Sequence, residues 1–554
     1  MTPEHAKAYG AFYTGAAVAG FLVRWALRTP RDTVLDPSFG GGVFLEAAAE
    51  RLAALGGNGS EQVYGAELDG EVHARVSQEL TGVSPENLIR SDFFALEPHH
   101  LPPLDAVVGN PPFIRYQNYD GKLGAARAQA QGVTLTSLAS SWAAFVVYSA
   151  ALLKPGGRLG MVIPLELGHA AYARPVLDYL TRTFGRVTLL TFKERLFPDL
   201  NQDTLLLLAD GKGAPFDGLC WRDVARVADL ERPLDTVFSN LERLPERNLT
   251  SGQDKLTLHF IPAKARGLYR ELAARPNVSR LGALAEVGIG YVTGANPFFH
   301  LTPERAAKAG LPADALRPAV FRSAALSGLT FTDADWSDAA EKGSAGYLLS
   351  SDDDSPELRR YLAQGEAAGV HKAYKCRVRT PWYRVPHVYT PDAFLTYMSG
   401  LRPQLVANPT GAVTPNTLHV VRLKPHVTLR AETLAAFWQT SLTSLSVELE
   451  GHALGGGMLK LEPSEARQAL VATPTGDFEG LEAELDGLLR VDRTDEAQSL
   501  ADYTLLQDGL GLTSKECATL RDAARTLRDR RYYRGKLKAA SGRTRVSPLP
   551  PPAN

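Results

Sequence analysis

Cysteine is scarce: Cys220, Cys376 and Cys517 are too few and too scattered among 554 residues for a disulfide framework or a zinc cluster. A reducing cytoplasm suits such a chain, and no metal site is expected. Charge of one sign is equally lacking. Lys plus Arg is 60, Asp plus Glu is 61 and the formal net charge is −1, which by itself makes no case for a nucleic acid, a membrane surface or an acidic substrate. Long apolar runs are missing too. The stretch around Trp142–Leu153 falls short of the roughly 18 residues that suggest a membrane span, and Met-Thr-Pro-Glu-His-Ala-Lys at the start lacks the apolar core of a signal peptide. Membrane insertion and secretion are therefore not expected. What is present, 44% apolar and 22% charged residues, is the composition of an ordinary globular chain long enough for two to four folding units of roughly 100–200 residues each.

Residues 30–210 alternate strand-like and helix-like patterns, the mark of a mostly parallel sheet covered on both faces. The strand candidates are Thr33–Asp36, Gln62–Glu67, Asn87–Ser91, Asp105–Val108, Arg158–Pro164, Arg186–Phe192 and Asp203–Ala209. Helices are expected at Val43–Leu55 and Leu138–Leu153, the second stopped by Lys154-Pro155-Gly156-Gly157. The link between the last two strands is too short for a helical crossover, so they should pair antiparallel and end a seven-stranded sheet. Beyond residue 210 the alternation is lost and Gly, Pro, Asn and Thr punctuate short apolar runs, which reads as a second, mixed α+β domain. Leu481, Leu485, Leu488, Leu489, Leu505 and Leu520 restore helical periodicity in a C-terminal region, and the proline-rich end is expected to be unstructured. The resulting boundaries are 1–245, 246–475, 476–545 and 546–554.

Two motifs carry the chemistry. The first strand runs into Asp36-Pro37-Ser38-Phe39-Gly40-Gly41-Gly42, a glycine turn that lets a ligand approach the backbone, and Glu67 at the end of the next strand can accept ribose hydroxyls. Such a turn can also merely connect two elements. No Gly-Lys-Ser/Thr follows, which excludes a Walker phosphate loop, and Glu67 stands 27 positions past Gly40 rather than the ~20 of dinucleotide folds. A carboxylate at Asp36 would repel phosphates and suits a cationic, phosphate-free ligand such as S-adenosylmethionine. The second motif is Asn110-Pro111-Pro112-Phe113, directly after the apolar strand. Two prolines force an extended backbone that cannot join the ladder. The Asn110 side-chain oxygen and the Pro111 carbonyl then form a pair of acceptors for a planar amino group whose ring stacks on Phe113. The plain alternative is a Pro-Pro turn with an Asn cap.

Asp36–Leu45, Glu67, Ser91-Asp92-Phe93-Phe94 and Asn110–Phe113, in that order, resemble the motifs of S-adenosylmethionine-dependent amino-methyltransferases. The upstream Gly10-Ala11-Phe12-Tyr13-Thr14 resembles the corresponding segment of the gamma class (TaqI-like) of DNA N6-adenine methyltransferases, although Gly15 stands where that class commonly has proline. The resemblance implies a class I methyltransferase (Rossmann-like) α/β fold with a C-terminal target-recognition domain. It implies that Thr14, Asp36, Ser38 and Gly40 border the methionine part of S-adenosylmethionine, that Glu67 takes the ribose hydroxyls, that Asp92 takes the adenine amino group of the cofactor and Phe93 its ring, and that Tyr13, Pro37 and Leu68 also belong to the cofactor site. Asn110, Pro111, Pro112 and Phe113 would hold the target amine, with Asn110 also bordering the cofactor. Phe197 in Glu194-Arg195-Leu196-Phe197-Pro198 would pack on the flipped base or else plug the core.

The chemistry follows from charge. A sulfonium methyl group is already electrophilic, so no protein nucleophile is needed, and accepting both amine hydrogens at Asn110 and Pro111 would stabilise the positive charge that develops on nitrogen. None of the cysteines follows a proline, which speaks against C5-cytosine chemistry. The amine cannot reach the methyl group inside a duplex, so the base must be flipped.

From Ala367 to Pro391 there is no acidic residue, while Lys372, Lys375, Arg377, Arg379 and Arg384 stand among Tyr374, Trp382 and Tyr383. Basic groups with interleaved aromatics suit phosphates and guanine edges, or form a basic surface strand with packed aromatics. The segments Gly288–Asn296, Arg379–Arg384 and Gly455–Lys460 resemble recurrent parts of target-recognition regions, which makes Arg377, Arg379, Trp382, Tyr383, Arg384 and Lys460 candidate DNA-binding residues. Residues 521–546 hold ten Lys/Arg against Asp522 and Asp529, either a phosphate-binding tail or a solvated helix face. Double-stranded DNA is the expected partner, a separate cognate restriction endonuclease a further one, and a monomer the expected state. RNA adenine or protein glutamine as substrate, and a bifunctional restriction–modification enzyme, are the alternatives. Only nine residues precede the Gly10 motif, too few for a nuclease domain.

Overall fold

Among the described residues, nine strands make the principal sheet. The computed structural model describes residues 14–114, 121–137, 139–197, 203–350 and 355–541, the last seven by backbone alone. The chain divides into two units, residues 1–260 with 533–554, and residues 261–532.

In the first unit the strands are β1 (Val34–Asp36), β2 (Val63–Glu67), β3 (Leu88–Arg90), β4 (Leu104–Gly109), β5 (Leu153–Pro164), β6 (Phe184–Phe192), β7 (Thr204–Lys212), β8 (Gly218–Val224) and β9 (Glu242–Leu244). Their order is β3-β2-β1-β4-β5-β7-β6-β8-β9. The first five run parallel, and β7 is antiparallel to both β5 and β6, as the short link requires. The seven expected strands are all present, but the sheet does not end there: β8 adds parallel to β6 and β9 antiparallel to β8. Leu219 and Leu244 on these added strands are buried in the same core, which is why the sheet continues past the hairpin.

Alternation along the strands builds two cores. Leu35, Val107, Met161, Ile163, Leu189 and Leu207 face one cluster, while Val34, Ala106, Val108, Val162, Leu190 and Leu208 face the other. The helix Ser141–Leu152, apolar on all sides, is buried over its first ten residues, as such a helix must be. The helix Val43–Leu55 occupies the expected span and is bounded by Gly42 and Gly56 at φ 82° and 84°, a left-handed backbone that glycine adopts without a Cβ clash. Leu249 and Leu256 also enter the first core, so the division falls at Phe260–Ile261 rather than at 245–246.

The second unit has a four-stranded antiparallel sheet in the order Ala285–Ile289, Leu418–Leu423, Ala393–Thr396 and Leu405–Ala407, with smaller sheets beside it. The helices Glu479–Arg490 and Thr494–Ala501 do not form a region of their own: Leu481, Leu485, Ala497, Ala501 and Leu505 share one core with Val287, Leu395 and Val421. The tail 546–554 lies outside the described residues. Among the described residues no helix is long and apolar enough to cross a membrane, and no cluster of three or more His, Cys, Asp or Glu could hold a metal ion.

Candidate active site

The sheet changes direction between β1 and β4: the chain leaves β1 outward to β2 and β3, then returns to pair β4 on the other side of β1. Ligands of open α/β sheets bind in the crevice at the carboxyl ends of strands where this reversal occurs. Asp36 closes β1 there, Glu67 closes β2, Asp92 follows β3 and Asn110 follows β4.

Backbone hydrogen bonds hold these groups. Glu67 accepts from the amide of Gly40 at 3.0 Å and that of Asp69 at 2.9 Å, which ties the glycine turn to the end of β2. Gly40 at φ 49° and Gly42 at φ 82° give that turn its shape. Asp92 caps a short helical turn by accepting from Phe94 at 3.0 Å. Asp36 is 1% exposed; its Oδ1 accepts from the Ser38 amide at 3.0 Å, and its Oδ2 is buried with no hydrogen-bond partner among the described residues. Burial pushes the Asp36 carboxyl up to about 8, the Ser38 amide pulls it back, and the Glu67 charge raises it further. Gly109 makes room for it, since a Cβ there would lie 2.8 Å from Asp36 Oδ1.

The two motifs meet at Asn110. Its Nδ2 donates to Thr14 Oγ1 at 3.2 Å, which orients the amide nitrogen toward Thr14 and the oxygen away from it. Ser38 Oγ donates to the Asn110 carbonyl at 3.5 Å. Gly15 has φ −70° and ψ 147°, the conformation proline imposes, so its departure from the gamma-class pattern leaves the backbone path intact. Tyr13 lies outside the described residues.

A clamp unforeseen in the sequence secures the loop after Asn110. Ser141 Oγ donates to the Pro112 carbonyl and accepts from the Ile114 amide at 3.0 Å; the Ser141 amide and Ser140 Oγ both donate to the Ile114 carbonyl, at 3.0 and 3.1 Å. Two serines ahead of an apolar helical run were the available signal, since serine prefers helix starts. Pro111 is buried, while Pro112 and Phe113 are half-buried, Phe113 packing against both cores. Pro37 is buried and Leu68 stands 62% exposed beyond Glu67, an apolar surface beside the crevice.

Two of the candidate aromatics are enclosed by the fold. Phe93 is 3% exposed with its ring stacked on Phe145, centroids 5.1 Å apart. Phe197 is 8% exposed and packs within the second core. Apolar neighbours capture both rings because burying an aromatic removes a large area from water.

In the second unit the candidate DNA-binding residues divide. Arg377 and Arg384 are exposed, Arg377 lying 5.4 Å over the Tyr374 ring. Arg379 donates to the carbonyls of Val292 at 2.5 Å and Thr293 at 2.8 Å, and Lys460 pairs with Glu462 and lies 5.2 Å over Tyr397; both hold the fold. Trp382 donates to Glu366 at 2.9 Å and, with Tyr383, packs into a local core.

Residues 1–167 match the N-6 DNA Methylase family, and residues 253–506 match the C-terminal domain of the Type II methyltransferase M.Eco57I. The Type II methyltransferase M.AccI of Acinetobacter calcoaceticus is 21% identical over 478 residues, covering 84% of this chain and 86% of its own. Two solved structures share the fold. The Type IIL restriction-modification enzyme MmeI in complex with DNA has a TM-score of 0.54 at 12% identity, over 93% of this chain and 75% of its own. The DrdV–DNA complex has a TM-score of 0.50 at 13% identity, over 88% and 58%. The chain spans less than two thirds of the length of DrdV, and likewise 65% of the type IIG restriction endonuclease BpuSI.

Proposed function

Taking as premise that the chain is a site-specific DNA methyltransferase of the gamma-class N6-adenine kind, we propose that it methylates the amino group of an adenine flipped out of duplex DNA, with S-adenosylmethionine as methyl donor. The observation that carries this reading is the convergence of Asp36, Glu67 and the Thr14–Asn110 pair at the reversal between β1 and β4. Residues 1–167 and the helical and stranded elements around them are the catalytic part, and the second unit is the target-recognition part.

The residues present fit the cofactor. A buried carboxyl next to a glycine turn, with one oxygen unpartnered and no cation beside it among the described residues, favours a cationic ligand, which stabilises its ionised form, over a phosphate, which would oppose it. Asp36, with Ser38, Gly40 and Thr14, would border the methionine part; Glu67 would take the ribose hydroxyls and Leu68 and Asp92 the adenine. Bound there, S-adenosylmethionine supplies a methyl group on a positively charged sulfur.

Asn110 Oδ1 and the Pro111 carbonyl accept the two hydrogens of the target amine, which draws the nitrogen toward pyramidal geometry and stabilises the charge it acquires. Phe113 stacks on the base and offsets part of the few kcal/mol that flipping costs. The Ser140–Ser141 clamp keeps Asn110 through Ile114 rigid, so that the acceptors are set before the substrate arrives. The cytoplasm, where restriction–modification enzymes meet DNA, is the compartment this activity implies, and a separate cognate endonuclease is a compatible partner.

Transfer of a labelled methyl group to duplex DNA, followed by nucleoside mass spectrometry, tests the reading: N6-methyladenine is the expected product. Label on RNA or protein alone would sink it. Asn110→Ala should lower turnover by at least about a hundredfold, as loss of a donor or acceptor to a charged transition state does. Cofactor affinity should stay within a few-fold of wild type, and near-normal turnover would remove Asn110 from this role.

A further inference from the structure

In the second unit a groove of about 740 Å³ opens along the strand Ala285–Ile289, beside its neighbour Leu418–Leu423, the short helix Tyr374–Arg377 that carries Lys375, and the chain after it with Val378 and Tyr389. Its charge is one-sided: Lys375, Arg379, Arg422, Lys424 and Arg467 line it with Glu286 as the acid. Three of these cations are fixed by backbone carbonyls. Arg379 bonds those of Val292 and Thr293, Lys424 that of Gly282 at 2.6 Å, and Arg467 that of Val287 at 3.1 Å. They form a positive wall that needs no further ordering to attract an anion.

The other two cations differ from these and from each other. Lys375 is exposed on a flexible stem. Arg422 is held as a planar fork: it lies 4.7 Å over the Tyr389 ring and 3.1 Å from Glu286, yet its side chain keeps 43% of its surface open. An arginine oriented by a ring and a carboxylate loses little further freedom when it makes a bidentate contact. Between these groups stand apolar side chains with no cover, Ile289 at 55% and Val378 at 63% exposure. His387 on the same wall adopts φ 58°, a conformation that a non-glycine residue keeps only where its surroundings enforce it.

A free phosphate or nucleotide would use the cations and leave Ile289 and Val378 bare. A duplex uses both, because it presents phosphates beside base edges that include the thymine methyl group. We propose that this groove seats the target duplex, with Lys375 on a phosphate, Arg422 reading a guanine edge, and Ile289 and Val378 against apolar base edges. The assignment rests on the DNA-methyltransferase reading above.

The test uses the full chain, a fluorescent duplex of mixed sequence and single-molecule sequencing of DNA methylated by each variant. Lys375→Ala should weaken duplex binding several-fold and reduce the slope of log affinity against log salt by about one, the signature of one lost phosphate contact. Arg422→Ala should relax the methylated sequence at a guanine position, and Arg422→Lys should fail to restore it because an ammonium lacks the fork. S-adenosylmethionine affinity and melting temperature report that the variants fold. If wild type methylates duplex DNA and both variants match it in affinity, salt slope and sequence, the groove assignment alone is overturned. If wild type transfers no methyl group to DNA, the underlying reading falls and the assignment with it. Protection of Lys375 from acylation by a mononucleotide but not by the duplex would mark a small-anion site and likewise overturn it.

Discussion

Two buried carboxylates, one in each unit, differ in what surrounds them. Asp36 in the first unit is 1% exposed and has the Ser38 amide on one oxygen but no cation beside it among the described residues. The Glu448 side chain in the second unit is 7% exposed, but Arg531 grips both its oxygens at 2.7 and 2.9 Å. The same guanidinium donates to the carbonyls of Gly400, Leu401 and Gly457, so every direction of the charge is answered. Burial pushes the Glu448 carboxyl up and Arg531 pulls it back; for Asp36 nothing comparable opposes burial. A buried acid that already has its cation is a structural staple. One that lacks it, lying where the sheet reverses, is the group that the proposed function assigns to the cationic cofactor.

The largest expected effect breaks the staple. Arg531→Ala strands a buried carboxylate and should cost about 3–5 kcal/mol of stability, measured by urea or thermal unfolding, whereas Arg531→Met combined with Glu448→Leu should recover most of it. A single variant as stable as wild type would erase the distinction between the two acids.

The next effect sharpens the other side. The folded Asp36 carboxyl, at about 8, lies above its ordinary value of 3.8, so the unliganded fold is favoured by it below that ordinary value and loses this contribution as pH climbs to about 8. A cationic ligand needs the ionised form. The affinity for S-adenosylmethionine relative to the neutral S-adenosylhomocysteine should therefore rise with pH up to about 8 and then level off. Asp36→Asn should flatten that profile and weaken S-adenosylmethionine by roughly tenfold or more, the worth of a charge-assisted contact. A calorimetric ratio that is independent of pH in wild type would refute the cation-seat view.

The smallest effect asks how far the Asp36 side is built in advance. Gly15 holds a proline-like backbone, and no atom lies within 4 Å of the point where a Cβ would stand, so Gly15→Pro should stabilise by about 0.4–1 kcal/mol and leave turnover unchanged. Loss of stability would mean that the approach to Thr14 is not set beforehand.

The basic stretches repeat the lesson. Along the sequence, residues 521–546 suit a phosphate-binding tail or a solvated face, yet Arg521 pairs with buried Asp502, Arg531 with Glu448 and Arg534 with Asp203. Residues 367–391 divide between exposed cations and Arg379, which is turned inward. Charge along a sequence names what a residue can do, while only the neighbours it meets decide whether that capacity faces water or another part of the chain.

The same holds for the site. Strand–turn–helix at Asp36–Val43, the acid after the second strand and Asn110–Phe113 were legible because each is a local arrangement of a few consecutive residues whose backbone preferences fix its form. The antiparallel β6–β7 pair was legible for the same reason: a short link leaves one geometry. What escaped depends on residues far apart. The β8 and β9 extension arises from pairing across intervening chain, Phe93 and Phe197 are buried by remote side chains, and the serine clamp joins Ser141 to Pro112 and Ile114. The sequence by itself determined the elements and the chemical kinds of its site residues, because propensity and side-chain chemistry act locally. Which aromatics remain open, which arginines face water and which buried acid lacks a cation were decided only by tertiary packing, because burial and electrostatic compensation are properties of what surrounds a group.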